Sequence, residues 1–230
     1  ENGGVFTCSL TLSESTTKDV DVTIGYSGTA SEGDYSGAVT SHKITSGKTV
    51  QSWSIAVSND SVYEPDETLV IDLASVTNAT EEGVQQQSLI IEEDDSKPKV
   101  SLACEVQTLL ENGGDLNCSV SLSHATTENV TVNLEYSGTA SESDYTGALT
   151  SHTIAANTLV TQWALRGVND FVYEDDESIV IDIDSVTNGT EDGLQQKTVT
   201  LTEDDSKPSV TLACAQSFMS ESGGSVVCSL

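Results

Sequence analysis

Apolar and polar residues alternate with a period of two in short runs along the chain. VTVNLEY places Val130, Val132, Leu134 and Tyr136 on one face, SIVIDI aligns Ile179, Ile181 and Ile183, and CSVSL aligns Cys118, Val120 and Leu122. That period belongs to a strand with one face to bury. Gly, Ser, Asn and Asp cluster between the runs at intervals of about ten residues, as turn chemistry requires, and apolar residues at helical spacing do not persist beyond one turn. The pattern predicts an all-β chain built from units of about seven antiparallel strands in two packed sheets.

Self-similarity sets the size of the unit. ENGG at Glu1 recurs at Glu111 and as ESGG at Glu221, YSGTASE at Tyr26 recurs at Tyr136, and EDDSKP at Glu93 recurs at Glu203, each time 110 residues on. A period that long suits one small β-sandwich rather than a solenoid turn. The seam is DDSKP, where Pro98 and Pro208 interrupt strand pairing within an exposed charge run. This division expects residues 1–98 to be a repeat lacking its first strand, 99–208 a complete repeat, and 209–230 the start of a third. A window on a longer tandem array accounts for that division better than head-to-tail donation of PSVTLAC to a second molecule, because 221–230 would duplicate 1–10 and find no slot.

Charge narrows the partners. With 8 Lys+Arg against 37 Asp+Glu and a net charge of −29, nucleic acid and anionic membrane faces would repel the chain. No run approaches the roughly 18 apolar residues of a membrane helix, so membrane insertion is not expected. The 36% hydrophobic content gathers in the β-type runs, consistent with modest packed cores rather than disorder.

Five cysteines follow the repeat. Cys104 and Cys118 are 14 apart, Cys214 and Cys228 likewise, and Cys8 stands where the second member of an earlier pair would fall. Cys104 shares parity with Val100 and Leu102, and Cys118 with Val120 and Leu122, which favours a buried bridge across the first hairpin over reduced core thiols or metal ligation. A disulfide implies an oxidising compartment, hence an extracellular or cell-surface setting.

The acidic residues carry the candidate chemistry. In the second unit LLENGG (Glu111), SESDY (Asp144), NDFVYEDDE (Asp170, Glu174, Glu177) and TEDD (Asp204, Asp205) bring carboxylates to strand ends, and all four segments recur in the first unit. Loops that alternate along an antiparallel sandwich return to one end, so these segments can converge. Two carboxylates about 4 Å apart repel by about 4 kcal/mol at an effective dielectric near 20, so such a cluster needs raised pKa values or a cation. Hard oxygen donors in that number favour Ca2+ over Mg2+, which prefers a tighter octahedron and keeps its waters. The alternatives are a solvated acidic surface and a glycosidase carboxylate pair; the latter wants a cleft with sugar-stacking aromatics, and aromatics make up 5% of the chain.

YSGTASESDY, then NDFVYEDDESIVIDI, then TEDD resemble the Calx-beta motif over nearly the whole of both units. The resemblance implies tandem immunoglobulin-like, Calx-beta-type antiparallel β-sandwiches that bind calcium at the end where the chain exits. It carries ligand roles to Glu111, Asp144, Asp170, Glu174, Glu177, Asp204 and Asp205, and in the first unit to Glu1, Asp34, Asp60, Glu64, Glu67, Asp94 and Asp95. Asn169, Asn59, Glu203 and Glu93 depart from the richest acidic pattern, which implies fewer or weaker ions per site.

The remaining features are expected to be structural. His42 and His152 suit turns, Trp53 and Trp163 suit the core, and Asn78, Asn129 and Asn188 lie in N-x-Ser/Thr patterns. No Ser/His/Asp order, phosphate loop or zinc spacing points to an enzyme. The sequence therefore predicts a calcium-stabilised extracellular repeat that spaces, stiffens or polymerises in an adhesin stalk or surface filament. Its partners would be neighbouring repeats, with head-to-tail self-assembly in reserve. The rivals are a calcium-sensing regulatory module of a transporter or receptor and a lectin-like module, the last lacking an aromatic platform.

Overall fold

The structure, a computed structural model, describes residues 3–230, and no helix forms among them. In the first unit the strands are β1 (Val5–Thr11), β2 (Val20–Gly28), β3 (Tyr35–Ser36), β4 (Ser41–Ile44), β5 (Val50–Val57), β6 (Glu67–Thr77) and β7 (Gln86–Ile91). They form two sheets, ordered β1-β5-β3 and β4-β2-β6-β7.

The second unit repeats this plan and adds to it. Its strands are β8 (Lys99–Cys104), β9 (Thr108–Leu110), β10 (Asp115–Leu122), β11 (Val130–Gly138), β12 (Tyr145–Thr146), β13 (Ser151–Ile154), β14 (Val160–Gly167), β15 (Glu177–Thr187), β16 (Thr190–Glu191) and β17 (Gln196–Thr202). The sheets run β12-β14-β10-β8-β16 and β13-β11-β15-β17-β9. Beyond them β18 (Ala213–Cys214) and β19 (Cys228–Ser229) form a small hairpin.

The period-two runs fall on these strands with their apolar parity inward. Val130, Val132 and Leu134 of β11 meet Ile179, Ile181 and Ile183 of β15 in the core of the second unit, facing Leu116, Cys118 and Val120 of β10. Val20, Val22 and Ile24 with Leu69 and Ile71 make the equivalent cluster in the first. The YSGTA motif is explained by a close crossing. Gly28 and Gly138 adopt φ of 120°, and a Cβ on either would lie 2.1 Å from the carbonyl oxygen of Thr68 or Ser178, so only glycine fits.

Both predicted disulfides form, Cys104 with Cys118 and Cys214 with Cys228, while Cys8 is a free, half-buried thiol. The histidines correct the sequence expectation. His42 and His152 lie in β4 and β13 rather than turns, are buried, and stack on Trp53 and Trp163 with ring centroids 4.2 and 4.1 Å apart. Burial lowers the His152 pKa. The sequon asparagines are occupied by the backbone: the Asn78 and Asn188 side chains donate to the carbonyls of Asp19 and Asn129, and the Asn129 amide oxygen accepts from Ala156 N–H.

Candidate metal centre

Strand ends bring the acids of the second unit together. Glu111 directly follows β9, Asp144 precedes β12, Asp170 and Glu174 lie on the β14–β15 connection, Glu177 opens β15, and Asp204 and Asp205 follow β17. Three groups result in which one carboxylate oxygen from each residue lies within 4.8 Å of the others: Glu111, Asp170 and Asp205; Glu111, Glu203 and Asp204; and Asp144, Glu174 and Glu177. Glu111 is shared by two of them and is itself buried.

Local hydrogen bonding fixes these loops without neutralising them. The Asp170 carboxylate accepts from Val172 N–H at 2.6 Å, an Asx-type turn, and Asp144 accepts from Ser141 N–H at 2.6 Å. Glu203 ties the acidic loop to the exit segment, because its two carboxylate oxygens accept from Glu174 N–H (2.7 Å) and Asp205 N–H (2.5 Å). Its own N–H donates to Asp176. Glu93 does the same in the first unit for Glu64 and Asp95. At Glu203 and Glu93, where the sequence departs from the richest acidic pattern, the longer side chain reaches two amides and, at Glu203, also joins a carboxylate group. The signal for it was present: an acid next to Asp204 at the close of a strand.

Electrostatics leaves this cluster short of positive charge. Burial raises the pKa of Glu111, helped by Glu203, Asp170 and Asp205 and opposed by the Asp170 N–H. Burial and neighbouring carboxylates likewise raise Glu174, Glu177 and Asp205. Burial also opposes the charge on Asp144, but hydrogen bonds from Ser141 and Ser143 outweigh it and lower its pKa. The described ion pairs, Lys43 with Asp19 and Asp21, Lys99 with Asp192, and Arg166 with Asp115, all lie elsewhere. Glu177 Oε2 and Asp205 Oδ2 are buried without a hydrogen-bond partner, a costly state for a carboxylate oxygen unless a cation supplies one. The donors are all oxygen, which fits a hard divalent cation.

Part of this arrangement is found among the described residues of the first unit. Asp34, Glu64 and Glu67 form one group of the same kind. Asp60 accepts from Val62 N–H in the same turn as Asp170, and Asp95 follows β7, but neither they nor Asp94 join a described group. Glu1 lies outside the described residues. The next unit, however, reaches this site: Thr126 donates its hydroxyl to the Tyr63 carbonyl at 2.6 Å, and a Thr127 hydrogen bond bears on the Glu64 carboxyl, whose pKa burial and Asp34, Asp60 and Glu93 raise. Lys97 and Lys207, one residue before the seam prolines, lie over the rings of Tyr63 and Tyr173 at 5.7 and 5.2 Å. The exit is thus fastened to the acidic loop of its own unit by a cation–π contact.

No curated protein matches the chain. Among solved structures it is similar to the apo-form Calx CBD1 domain, at 22% identity over 46% of this chain and 99% of that one, with a TM-score of 0.40. It is also similar to CBD12 from CALX1.2, at 19% identity over 80% and 74% of the two chains with a TM-score of 0.36. The calcium binding domain CBD12 of CALX1.1 is 18% identical over 82% and 76%, with a TM-score of 0.37. The Calx-beta domain family matches twice in tandem, over residues 1–95 and 93–206. The chain belongs to the Calx-beta domain family.

Proposed function

We propose that each unit binds calcium at its exit end and that the tandem chain serves as a calcium-stabilised extracellular spacer, stiffening or polymerising within a stalk or filament. One observation carries the reading: Asp204 and Asp205, the last acids before the next unit, share carboxylate groups with Glu111 and Asp170 from the interior of the same unit. Glu111, Asp144, Asp170, Glu174, Glu177, Glu203, Asp204 and Asp205 would hold the ion, which would supply the positive charge that the repelling carboxylates lack. The exit strand would then be tied to the loops of its own domain, leaving Ser206 and Lys207 before Pro208, whose ring limits the joint. The disulfides favour an oxidising, extracellular compartment. A calcium-sensing module is the second reading, supported by the Thr126–Tyr63 contact one residue from Glu64, through which occupancy of the first unit would bear on the orientation of the next.

The test is calcium titration calorimetry of the chain, together with small-angle X-ray scattering on an array of three complete units with and without chelator. Binding with a longer, thinner particle in calcium supports the spacer. Binding without any change of dimensions removes the stiffening role, and absence of binding removes both readings.

A further inference from the structure

The ENGG motif of the second unit sets an asparagine inside the acidic centre. Asn112 is exposed on the turn after β9, between Glu111 and Gly113, and its side-chain amide donates to Asp204 Oδ2 at 3.0 Å. Asp204 is in turn grouped with Glu111 and Glu203. An asparagine followed by glycine is the pair most prone to lose its amide, because no side chain shields the next backbone nitrogen and glycine bends freely toward the carboxamide. Among the described residues nothing obstructs that approach. Gly113 sits at φ of 100°, and beyond its chain neighbours no atom comes within 4 Å of where a Cβ would stand.

The chain supplies its own contrast. Asn188 and Gly189 are the same pair, yet the Asn188 amide donates to the Asn129 carbonyl at 3.1 Å and to Glu128 at 3.4 Å. Gly189 is wedged: a Cβ there would lie 3.0 Å from Val186 Cγ1 and 3.2 Å from the Pro98 carbonyl oxygen. Closing a ring at that turn means pulling it away from its neighbours. The third pair, Asn2 and Gly3, lies partly outside the described residues.

We propose that Asn112 is a self-modification site, at which conversion of the amide to a carboxylate gives the second unit's metal centre an additional acid and a tighter hold on calcium. The Gly113 backbone nitrogen attacks Cγ of Asn112 and gives up its proton; the Cγ–Nδ2 bond breaks and ammonia leaves with that proton, closing a succinimide. Water then opens the ring. Attack at Cγ gives aspartate, whose carboxylate stands where the amide stood, beside Asp204. Attack at the backbone carbonyl gives isoaspartate, which lengthens the main chain by a methylene and shifts the carboxylate. In sum, an amide and water become a carboxylate and ammonium, with no oxidant or enzyme. Before conversion the Asn112 amide steadies Asp204 without an ion. Afterwards that donor has become a like charge, so the metal-free centre is destabilised by repulsion while the calcium-loaded one gains a hard oxygen ligand. The gain in affinity rests on the calcium reading above; the conversion itself does not.

The test begins with peptide mapping by mass spectrometry of the full chain, kept folded in chelator at mildly alkaline pH and body temperature, beside the same chain in denaturant. Asn112 should convert in the folded chain while Asn188 keeps its amide, and both should convert once the chain is unfolded. Calcium calorimetry then compares the fresh chain, the aged chain, Asn112→Asp, and Asn112→Gln, which keeps a neutral amide and closes such a ring far more slowly. Asn112→Asp should bind calcium about tenfold more tightly than the fresh chain and melt lower in chelator. The aged chain should move toward it in proportion to its aspartate content, whereas Asn112→Gln should keep the fresh affinity through ageing. An Asn112 that retains its amide in the folded chain, or converts no faster than Asn188, overturns the proposal. So does an Asn112→Asp chain that binds calcium no more tightly than the fresh one. Conversion in a chain that binds no calcium in any form overturns the calcium reading itself, and the gain in affinity with it.

Discussion

The two units share a sequence pattern and differ in what covers it. Leu116, Cys118, Val120 and Leu122 of β10 are all buried, whereas Phe6, Cys8, Leu10 and Leu12, at the same repeat positions in and just beyond β1, are all half-exposed. Trp163, Tyr145 and Ile183 are buried; Trp53, Tyr35 and Leu73 are not fully so. Parity alone does not bury a residue. A strand needs a neighbour on each side and a sheet above it, and β8 supplies to the second unit a neighbour that β1 does not have among the described residues. At the metal end, eight acids of the second unit enter three groups and, among the described residues of the first, three enter one, the counterpart of Glu111 being Glu1, which lies outside them.

Calcium should widen the gap most. Saturation at about 1,000 times the dissociation constant adds about 4 kcal/mol, or about 15–30 °C in the melting of a domain of this size. Calorimetry should show two transitions, the upper moving furthest when chelator is replaced by calcium. Glu174→Gln with Asp204→Asn should remove most of that movement, and equal shifts in both transitions would break the comparison. Next in size is the disulfide. Replacing Cys104 and Cys118 with alanine should cost about 3 kcal/mol for a loop of this length and lower only the second unit's transition. A fall in both would show that the units melt together.

The metal-free pH profile should change the gap in a definite direction, widening it as pH falls from 7 to 5. Glu111, Glu174, Glu177 and Asp205 in the second unit, and Glu64 in the first, have raised folded pKa values. Their contribution is fully present below the ordinary carboxylate range and is lost as pH rises through the raised values. In chelator the second unit should therefore melt higher at pH 5 than at pH 7. His152 opposes this, since its lowered pKa favours the folded state above its ordinary value and that share fades as pH falls. A melting temperature that drops steadily from pH 7 to 5 in chelator would show the carboxylates to be already compensated. The smallest effect belongs to Arg166→Ala. Arg166 pairs with Asp115 at 2.6 Å on the surface, where the first unit has Ala56 and Val5. Exposed pairs contribute little, so its shift in thermal melts should be the least of the four.

Much of this molecule is legible in local chemistry. Strand parity, the turn residues between strands, the glycine of YSGTA and the cysteine spacing each act within one strand or one hairpin, so the all-β fold, the family and the Cys104–Cys118 bridge follow from the order of residues. The acids announce themselves by recurring at strand ends. Contacts between distant segments are a different matter. That Glu203 holds two amides and also joins Asp204 and Glu111, that His42 and His152 are buried against tryptophan, and that Thr126 of one unit meets Tyr63 of another depend on which strands lie side by side. So does the exposure of β1, whose residues carry the same inward parity as β10. Alternation follows from backbone geometry within a strand, while burial and carboxylate approach follow from neighbours brought together by tertiary packing.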